Sequence, residues 1–268
     1  MRSTKRLLSV VLLFVFLVPF AHAQDSAANE MPMMGAWDAC PTPENLPAEV
    51  TIGAIFGLSG PISVYGGPQQ QAVNMALAEI NEAAYLGEGV SLVVLFEDST
   101  GAADQAIAAM TKLVEEDGVL AVLGPTLSTE AFAADPVAQE NGVPVMGVSN
   151  TAAGITDMGE FVFRNSLPES SVIPGTVAQS TEILGLEKVA VMYGNDDDFT
   201  LSGYDVFVEA LEANGVEILG EETFARGDVD YSAQLTNLLA LDPDALVVSA
   251  LAAEATQIII QARELGYS

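Results

Sequence analysis

Apolar runs typical of strands alternate with runs typical of amphipathic helices along most of this chain. The strand-like runs, such as 50–56 and 90–96, are apolar from end to end instead of at every second residue. Strands that are buried on both faces have this pattern, and they occur in parallel sheets with helices on both sides. The sequence therefore predicts an α/β fold in which each parallel sheet lies between layers of helices.

These patterns assign the individual elements. Strands are predicted at 50–56, 90–96, 119–123, 143–148, 188–193, 216–224 and 245–249, and helices at 68–84, 102–116, 129–140, 172–184, 201–214, 231–241 and 253–265. The first helix is expected to begin at Pro68, because proline is favoured in a first turn, and to carry Ala72, Met75, Ala76 and Ile80 on one face. The elements form two blocks, 49–168 and 169–268, and the second block stops after a helix where another strand is expected.

Residues 1–23 have the pattern of an export signal. Three basic residues precede an apolar run at 7–20, and Ala21-His22-Ala23 has the small residues of a cleavage site. The apolar run is shorter than the roughly 20 residues that a membrane span needs. We therefore expect a cleaved signal peptide and a mature protein in the periplasm or outside the cell. Residues 24–48 contain Cys40 and several prolines without a helix or strand period, so they are expected to be a linker.

Charge and composition exclude several classes of function. The chain has 37 acidic and 8 basic residues, with a net charge of −29, so it repels nucleic acid and anionic lipid. After cleavage it would keep no histidine and one cysteine, which excludes histidine metal sites, Ser-His or Cys-His catalytic pairs and an internal disulfide. No catalytic residue, metal or other cofactor is expected.

Three glycine-containing loops follow predicted strands, at 57–66, 124–129 and 147–154. Ligands of α/β sheets lie beyond the carboxyl ends of strands, where loops meet helix N-termini. The loops combine glycine with serine and threonine and contain no lysine, and none has a phosphate-binding motif. Hydroxyls and free backbone N–H groups can instead hold a small carboxylate. The alternative is that Ser128 and Thr129 only cap a helix and that 149–151 only form a turn.

The order and spacing of several short runs resemble one family. The runs include Ile-Gly-Ala-Ile-Phe-Gly-Leu-Ser-Gly-Pro at 52–61, Val-Leu-Gly-Pro at 122–125 and Gln-Ala-Arg-Glu-Leu-Gly at 261–266. Over residues 49–268 the chain is similar to the solute-binding proteins of branched-chain amino acid ABC transporters, the leucine/isoleucine/valine-binding type. The resemblance implies a two-lobed clamp, with lobe 1 at 49–168 and lobe 2 at 169–268, that closes on a ligand.

The resemblance also implies the ligand-binding residues. Ser128 and Thr151, with Ser149 and Asn150 beside them, take the places that bind the carboxylate of an amino acid in that family. Tyr65 matches a tyrosine of the cleft. Glu169 matches an acidic position at the crossover between the lobes. Phe199 and Leu251 stand near positions where the family has tyrosines. The change at Leu251 leaves the ligand open, and so does the family's acidic residue for the ammonium group, which comes later than this chain reaches: an amino acid, an amide or a small organic acid.

Three functions remain open at this stage. The first is an extracytoplasmic receptor that binds a small molecule and delivers it to an ABC permease in the membrane. The second is the ectodomain of a sensor or regulatory receptor with the same fold. The third is a secreted hydrolase that uses paired carboxylates. Family members continue well beyond the length of this chain, so we expect the C-terminal part of both lobes to be missing and residues 24–268 alone to bind ligand poorly.

Signal cleavage provides the first test. If residues 1–23 direct export, the exported protein begins at Gln24, because cleavage follows Ala23. Mass spectrometry of the N-terminal peptide checks this, and a secreted form that retains Arg2 would contradict it.

Overall fold

The computed structural model describes residues 45–267, which contain two parallel sheets. The first sheet has the order β2-β1-β3-β4-β5 and the second has the order β7-β6-β8. The strands are Glu49–Phe56 (β1), Ser91–Asp98 (β2), Val122–Leu123 (β3), Val145–Gly147 (β4), Val162–Arg164 (β5), Lys188–Gly194 (β6), Glu217–Phe224 (β7) and Ala245–Ser249 (β8). Every strand pair in both sheets is parallel, which confirms the predicted α/β class.

Helices connect successive strands. They are Ser63–Glu82 (α1), Ala103–Thr111 (α2), Ser128–Asn141 (α3), Glu169–Leu184 (α4), Asp198–Ala213 (α5), Ser232–Leu239 (α6) and Ala252–Glu264 (α7), and α2 continues into a π-helical turn, Lys112–Glu116. We use lobe 1 for residues 49–164, which hold the first sheet, and lobe 2 for residues 169–267, which hold the second.

The central strand of lobe 2 is buried on both faces. Val189 and Val191 pack in a core formed with α4 and α5. Ala190 and Met192 pack in another core formed with α6 and α7. Because successive side chains of a strand point to opposite faces, an apolar run without alternation is what a sheet between two helix layers needs.

Lobe 1 has the same arrangement around β1. Ile55 belongs to a core that α2 and α3 cover, whereas Ala54 and Phe56 are buried outside that core. Helix α1 lies against β1 and β2. A side chain at Gly66 would come within 2.1 Å of the Gly57 carbonyl oxygen, so glycine allows α1 to approach the loop after β1. This approach also places Tyr65 at the carboxyl edge of the sheet.

Several predicted elements differ from the structure. Helix α1 begins at Ser63, after a 3₁₀ turn at Gly60–Ile62, and Pro68 lies inside it. Its half-buried side carries Val73, Leu77 and Ile80, whereas Met75, predicted on the apolar face with Ala72 and Ala76, is 75% exposed. Strand β5 was not predicted, because only three residues pair with β4.

The predictions for the N-terminal segment concern residues that the structure mostly does not describe. The export signal at 1–23 lies outside the described residues, as does most of the linker at 24–48. Between residues 45 and 267, no helix is both long enough and apolar enough to cross a membrane.

Asp135 is a buried carboxylate in the core of lobe 1. It lies on α3 near Ala131, Ala134 and Ala138, which all pack in the core. Neither carboxylate oxygen has a hydrogen-bond partner among residues 45–267. Burial without a partner raises the pKa of Asp135 to about 8. The folded state therefore holds this proton more tightly than the unfolded chain does.

This proton makes stability depend on pH. Its contribution is complete below the ordinary pKa of 3.8 and is lost as the pH rises through about 8. Within that window each pH unit lowers the free energy of unfolding by up to about 1.4 kcal/mol. Replacing Asp135→Asn removes the charge, so the variant should gain stability over the wild type between pH 5 and pH 8.

Thermal unfolding at several pH values measures this gain. Glu140→Gln is the matched control, because Glu140 lies exposed on the same helix, and it should shift the melting temperature equally at each pH. If the melting temperatures of Asp135→Asn and the wild type differ by the same amount at every pH, the burial argument is wrong.

Candidate functional site

The two lobes meet at the carboxyl ends of their strands. Ile62 and Leu127 of lobe 1 form a small apolar cluster with Leu251 of lobe 2, and Tyr65 and Phe199 pack against it. These residues lie in loops or first turns of helices that follow β1, β3, β6 and β8. Parallel strands bring such loops to one edge of each sheet, so the contact between the lobes is also where a ligand site is expected.

A cavity of about 120 Å³ lies within this contact. Its lining residues are Tyr65, Thr126, Leu127, Ser128, Ser149, Phe199, Ala250 and Leu251. Five residues that the sequence singled out are among them: Tyr65, Ser128, Ser149, Phe199 and Leu251. One wall carries hydroxyl groups from lobe 1 and the other wall is apolar, with side chains from lobe 2. That these residues bind a ligand stays a prediction.

Ser128 stands at the start of α3 and is almost fully buried. Its Oγ accepts hydrogen bonds from the backbone N–H groups of Thr151, at 3.1 Å, and Ala152, at 3.2 Å. Neither bond uses the hydroxyl hydrogen, so this hydroxyl can still donate into the cavity. Because Ser128 joins two loops in a buried place, we expect its removal to change stability as well as binding.

Ser149 belongs to a network around the side chain of Gln69. Its Oγ donates to the Thr126 carbonyl oxygen at 2.6 Å and accepts from Gln69 Nε2 at 2.8 Å. Gln69 Oε1 accepts from Thr126 Oγ1 at 2.8 Å, and Thr126 Oγ1 accepts from the Gly57 N–H at 3.1 Å. One amide from α1 thus connects the loops after three strands. Gln69 is not predicted from the sequence, because a single polar residue of a helix belongs to no motif.

Asn150 does not line the cavity. It is buried, and its Nδ2 donates to the Pro125 carbonyl oxygen at 3.0 Å. The backbone carbonyl oxygen of Asn150 accepts a hydrogen bond from Ser166 Oγ at 2.6 Å. In this structure Asn150 ties the loop after β4 to neighbouring segments.

Thr151 and Glu169 form a link between the lobes instead of a cavity wall. Thr151 Oγ1 donates to Glu169 Oε1, and Ser202 Oγ donates to Glu169 Oε2 at 3.0 Å. Ser202 Oγ also accepts from the Ala153 N–H at 3.2 Å. The buried Glu169 carboxylate therefore holds the loop after β4 against α5, with the Thr151 hydroxyl committed to it.

A larger cavity of about 660 Å³ adjoins the first and shares Tyr65 and Leu251 with it. Tyr65 Oη accepts from the Ala252 N–H at 2.7 Å, so a side chain of lobe 1 meets the first turn of α7. The lobe 2 wall includes Arg226 and Glu254. Sequence patterns did not single out either residue, because single charged residues in an acidic chain carry no signal.

Two buried carboxylates lie close to this contact. Burial raises the pKa of Glu130 and that of Asp197. The guanidinium of Arg226, with Nη1 3.8 Å from Asp197 Oδ2, opposes part of this rise in both pKa values. No cluster of three or more histidine, cysteine or acidic side chains arranged for a metal ion occurs within the described range, 45–267.

Comparisons with known proteins agree on one family. Residues 49–268 match the model of the family described as periplasmic binding protein. The chain is 31% identical over 194 residues to the Leu/Ile/Val-binding protein BraC3 of Rhizobium johnstonii, covering 71% of this chain and 52% of the relative. It is 28% identical over 192 residues to Leu/Ile/Val-binding protein homolog 3 of Brucella melitensis, covering 71% and 51%. The chain thus spans about half the length of these relatives.

Solved structures give the same result. The leucine binding protein LivK of Thermotoga maritima superposes with a TM-score of 0.77 at 25% identity, covering 82% of this chain and 61% of that one. The branched-chain amino acid transporter substrate binding protein LivJ of Streptococcus pneumoniae gives a TM-score of 0.76 at 32% identity, covering 82% and 62%. These matches are named as binding proteins and not as enzymes, in agreement with the description of the family.

The hydrogen bonds of Ser128 lead to a stability prediction. Ser128→Ala leaves the buried N–H groups of Thr151 and Ala152 without their acceptor, so the free energy of unfolding should fall by about 1–3 kcal/mol. Denaturation in urea measures the loss. The control is Ser170→Ala, at an exposed position of α4, which should change stability by less than about 0.5 kcal/mol. Equal stability of the two variants would show that Ser128 does not hold the loops together.

Proposed function

Because the chain belongs to the periplasmic binding protein family, we propose that it is part of a receptor that binds a small amino acid or a related carboxylate between its two lobes. The lobes, 49–168 and 169–268 as predicted from the sequence, would close on the ligand. The receptor would act outside the cytoplasm and deliver its ligand to an ABC importer in the membrane. The export signal predicted at 1–23 fits this location.

The observation that carries the proposal is the cavity at the N-terminus of α3. The first N–H groups of a helix have no partner within the helix, and they favour an anion. The Ser128 hydroxyl lies at the same point and lines the cavity. A ligand carboxylate placed there would accept hydrogen bonds from the hydroxyl and from the helix start, without a lysine or arginine.

The opposite wall fits an apolar side chain. Phe199, Ala250 and Leu251 of lobe 2, with Leu127 of lobe 1, offer carbon surface and no charge on that side. Burying an aliphatic side chain of three or four carbons there would contribute about 1.5–3 kcal/mol. The LivJ structure contains isoleucine, and LivK is named for leucine. We therefore infer that an aliphatic amino acid is the first ligand to test.

The remaining predicted site residues have supporting roles in this proposal. Tyr65 and Ser149 border the cavity, with Tyr65 closing the side towards α7. Asn150, Thr151 and Glu169 hold the loop after β4 in the position that Ser128 needs. Their substitution should act on the ligand indirectly, through the geometry of this loop.

Calorimetry on the purified full-length protein, of which this chain is a part, tests the proposal. Leucine, isoleucine and valine should bind, and leucinamide, which lacks the carboxylate, should bind at least about tenfold more weakly, because it loses hydrogen bonds to a charged group. Phe199→Ala should weaken leucine binding. The control Phe163→Ala changes the same side-chain type at an exposed position outside the cavity, and it should leave leucine binding unchanged.

Two results would contradict the proposal. If leucinamide binds as tightly as leucine, the site does not recognise a carboxylate. If none of the amino acids binds and a sugar or another neutral solute does, the ligand class is wrong.

A further inference from the structure

Thr129 connects the two lobes through one hydroxyl group. It is the second residue of α3 in lobe 1, and its Oγ1 accepts a hydrogen bond from the Asp198 N–H of lobe 2 at 2.9 Å. The same hydroxyl donates to Asp197 Oδ2 at 3.4 Å. We call these three residues, Thr129, Asp197 and Asp198, the clasp. Thr129 therefore uses both its donor and its acceptor capacity on the opposite lobe.

Lobe 2 presents its half of the clasp in a fixed position. Asp197 caps helix α5, and its Oδ1 accepts from the N–H groups of Phe199, at 3.0 Å, and Thr200, at 3.4 Å. Its side chain is only 2% exposed. Because the cap holds one oxygen, the other oxygen and the Asp198 N–H are already oriented towards Thr129. Little side-chain entropy is then lost when the lobes meet.

Thr129 is separate from both cavities. It is not among the residues that line them. Three other polar contacts between the lobes, Tyr65 with Ala252, Thr151 with Glu169 and Ala153 with Ser202, involve residues of the cavity wall or of the loop that supports it. A change at Thr129 can therefore act on the contact between the lobes without removing a group that faces a ligand.

Charged side chains surround the Thr129 hydroxyl of the clasp. Glu130, the next residue of α3, is fully buried, and its Oε1 has no hydrogen-bond partner within residues 45–267. The negative charge of Asp197 opposes ionisation of Glu130, and Arg226 is the cation that favours it. Glu130 belongs to lobe 1 and Asp197 to lobe 2, so this repulsion opposes the contact between the lobes, and the neutral Thr129 hydroxyl offers a favourable contact at that place.

We propose that Thr129 is a positioning residue that sets the balance between the closed and the open arrangement of the lobes, and with it the affinity for any ligand held between them. The effect on affinity rests on the function proposed above. If only the closed arrangement binds tightly, the apparent dissociation constant rises as the closed fraction falls. Because Thr129 lines neither cavity, every ligand should lose affinity by the same factor.

The experiment compares Thr129→Val with Thr129→Ser. Valine keeps the shape and loses the hydroxyl, whereas serine keeps the hydroxyl and should behave as the wild type. Thr176→Val is the matched control, since Thr176 is exposed on α4 and its hydroxyl donates only to its own helix, at the Val172 carbonyl oxygen. Thr129→Ala serves as a second variant without the hydroxyl if the valine variant does not fold.

Two measurements are made on each variant of the full-length protein. Small-angle scattering without added amino acid should give a larger radius of gyration for Thr129→Val than for the wild type, because more molecules are open. Calorimetry with leucine, isoleucine and valine should show a loss of about tenfold for each, the effect expected for hydrogen bonds to a charged group. Thr129→Ser and Thr176→Val should match the wild type in both measurements.

Each result decides the proposal. A wild-type radius together with wild-type affinities in Thr129→Val would overturn it, and so would a loss that differs strongly between the three ligands, which would mean that Thr129 acts on the ligand itself. If the wild type binds none of the amino acids, the proposed function fails, but the radius of gyration still shows whether the clasp holds the lobes together.

Discussion

Parallel strand direction is the constraint on which the rest of this structure depends. Because all strands of a sheet point the same way, every loop at their carboxyl ends meets its neighbours at one edge, and no hairpin is available to pair the backbone there. Those loops must find hydrogen bonds among themselves. Ser128 accepts a backbone N–H group of the loop after β4, and Thr126 accepts one of the loop after β1. Asn150 donates to a backbone carbonyl oxygen of the loop after β3. The site is built from this mutual support.

Scarcity of cations decides how the acidic side chains are held. With 8 basic residues against 37 acidic ones, most carboxylates cannot have an ionic partner. Several accept backbone N–H groups instead: Asp98 accepts from Leu58, Ser59 and Thr100, and Asp244 accepts from Glu187 and Lys188, which lowers the pKa of Asp244. Loop residues and the first residue of β6 supply these donors. The same donors suit a ligand carboxylate, so the way this chain stabilises its own acids resembles the way it would bind a ligand.

Stability and the proposed ligand binding share residues at this edge. Ser128 accepts two loop N–H groups and keeps one hydrogen for the cavity, whereas Thr151 donates its hydroxyl hydrogen to Glu169. Thr129, one residue after Ser128, faces the other lobe instead of the cavity. Two adjacent positions at the start of one helix thus serve two purposes, because successive side chains of a helix point about 100° apart. Under the proposed function, ligand contact and lobe contact can therefore change independently.

The sequence by itself determined the α/β class, the order of the main elements and the loops that meet at the site, because each rests on local apolar period and on strand direction. It could not determine the buried side of α1 or the short strand β5, since Met75 is exposed and β5 pairs through only three residues once its neighbour is in place. It also predicted Tyr65, Ser128, Ser149, Phe199 and Leu251 near one place, but it did not separate them from Asn150, Thr151 and Glu169, which the structure uses to connect loops and lobes. Only tertiary structure decided which hydroxyl faces the cavity and which is already bonded, because that depends on the distance to partners far away in the chain.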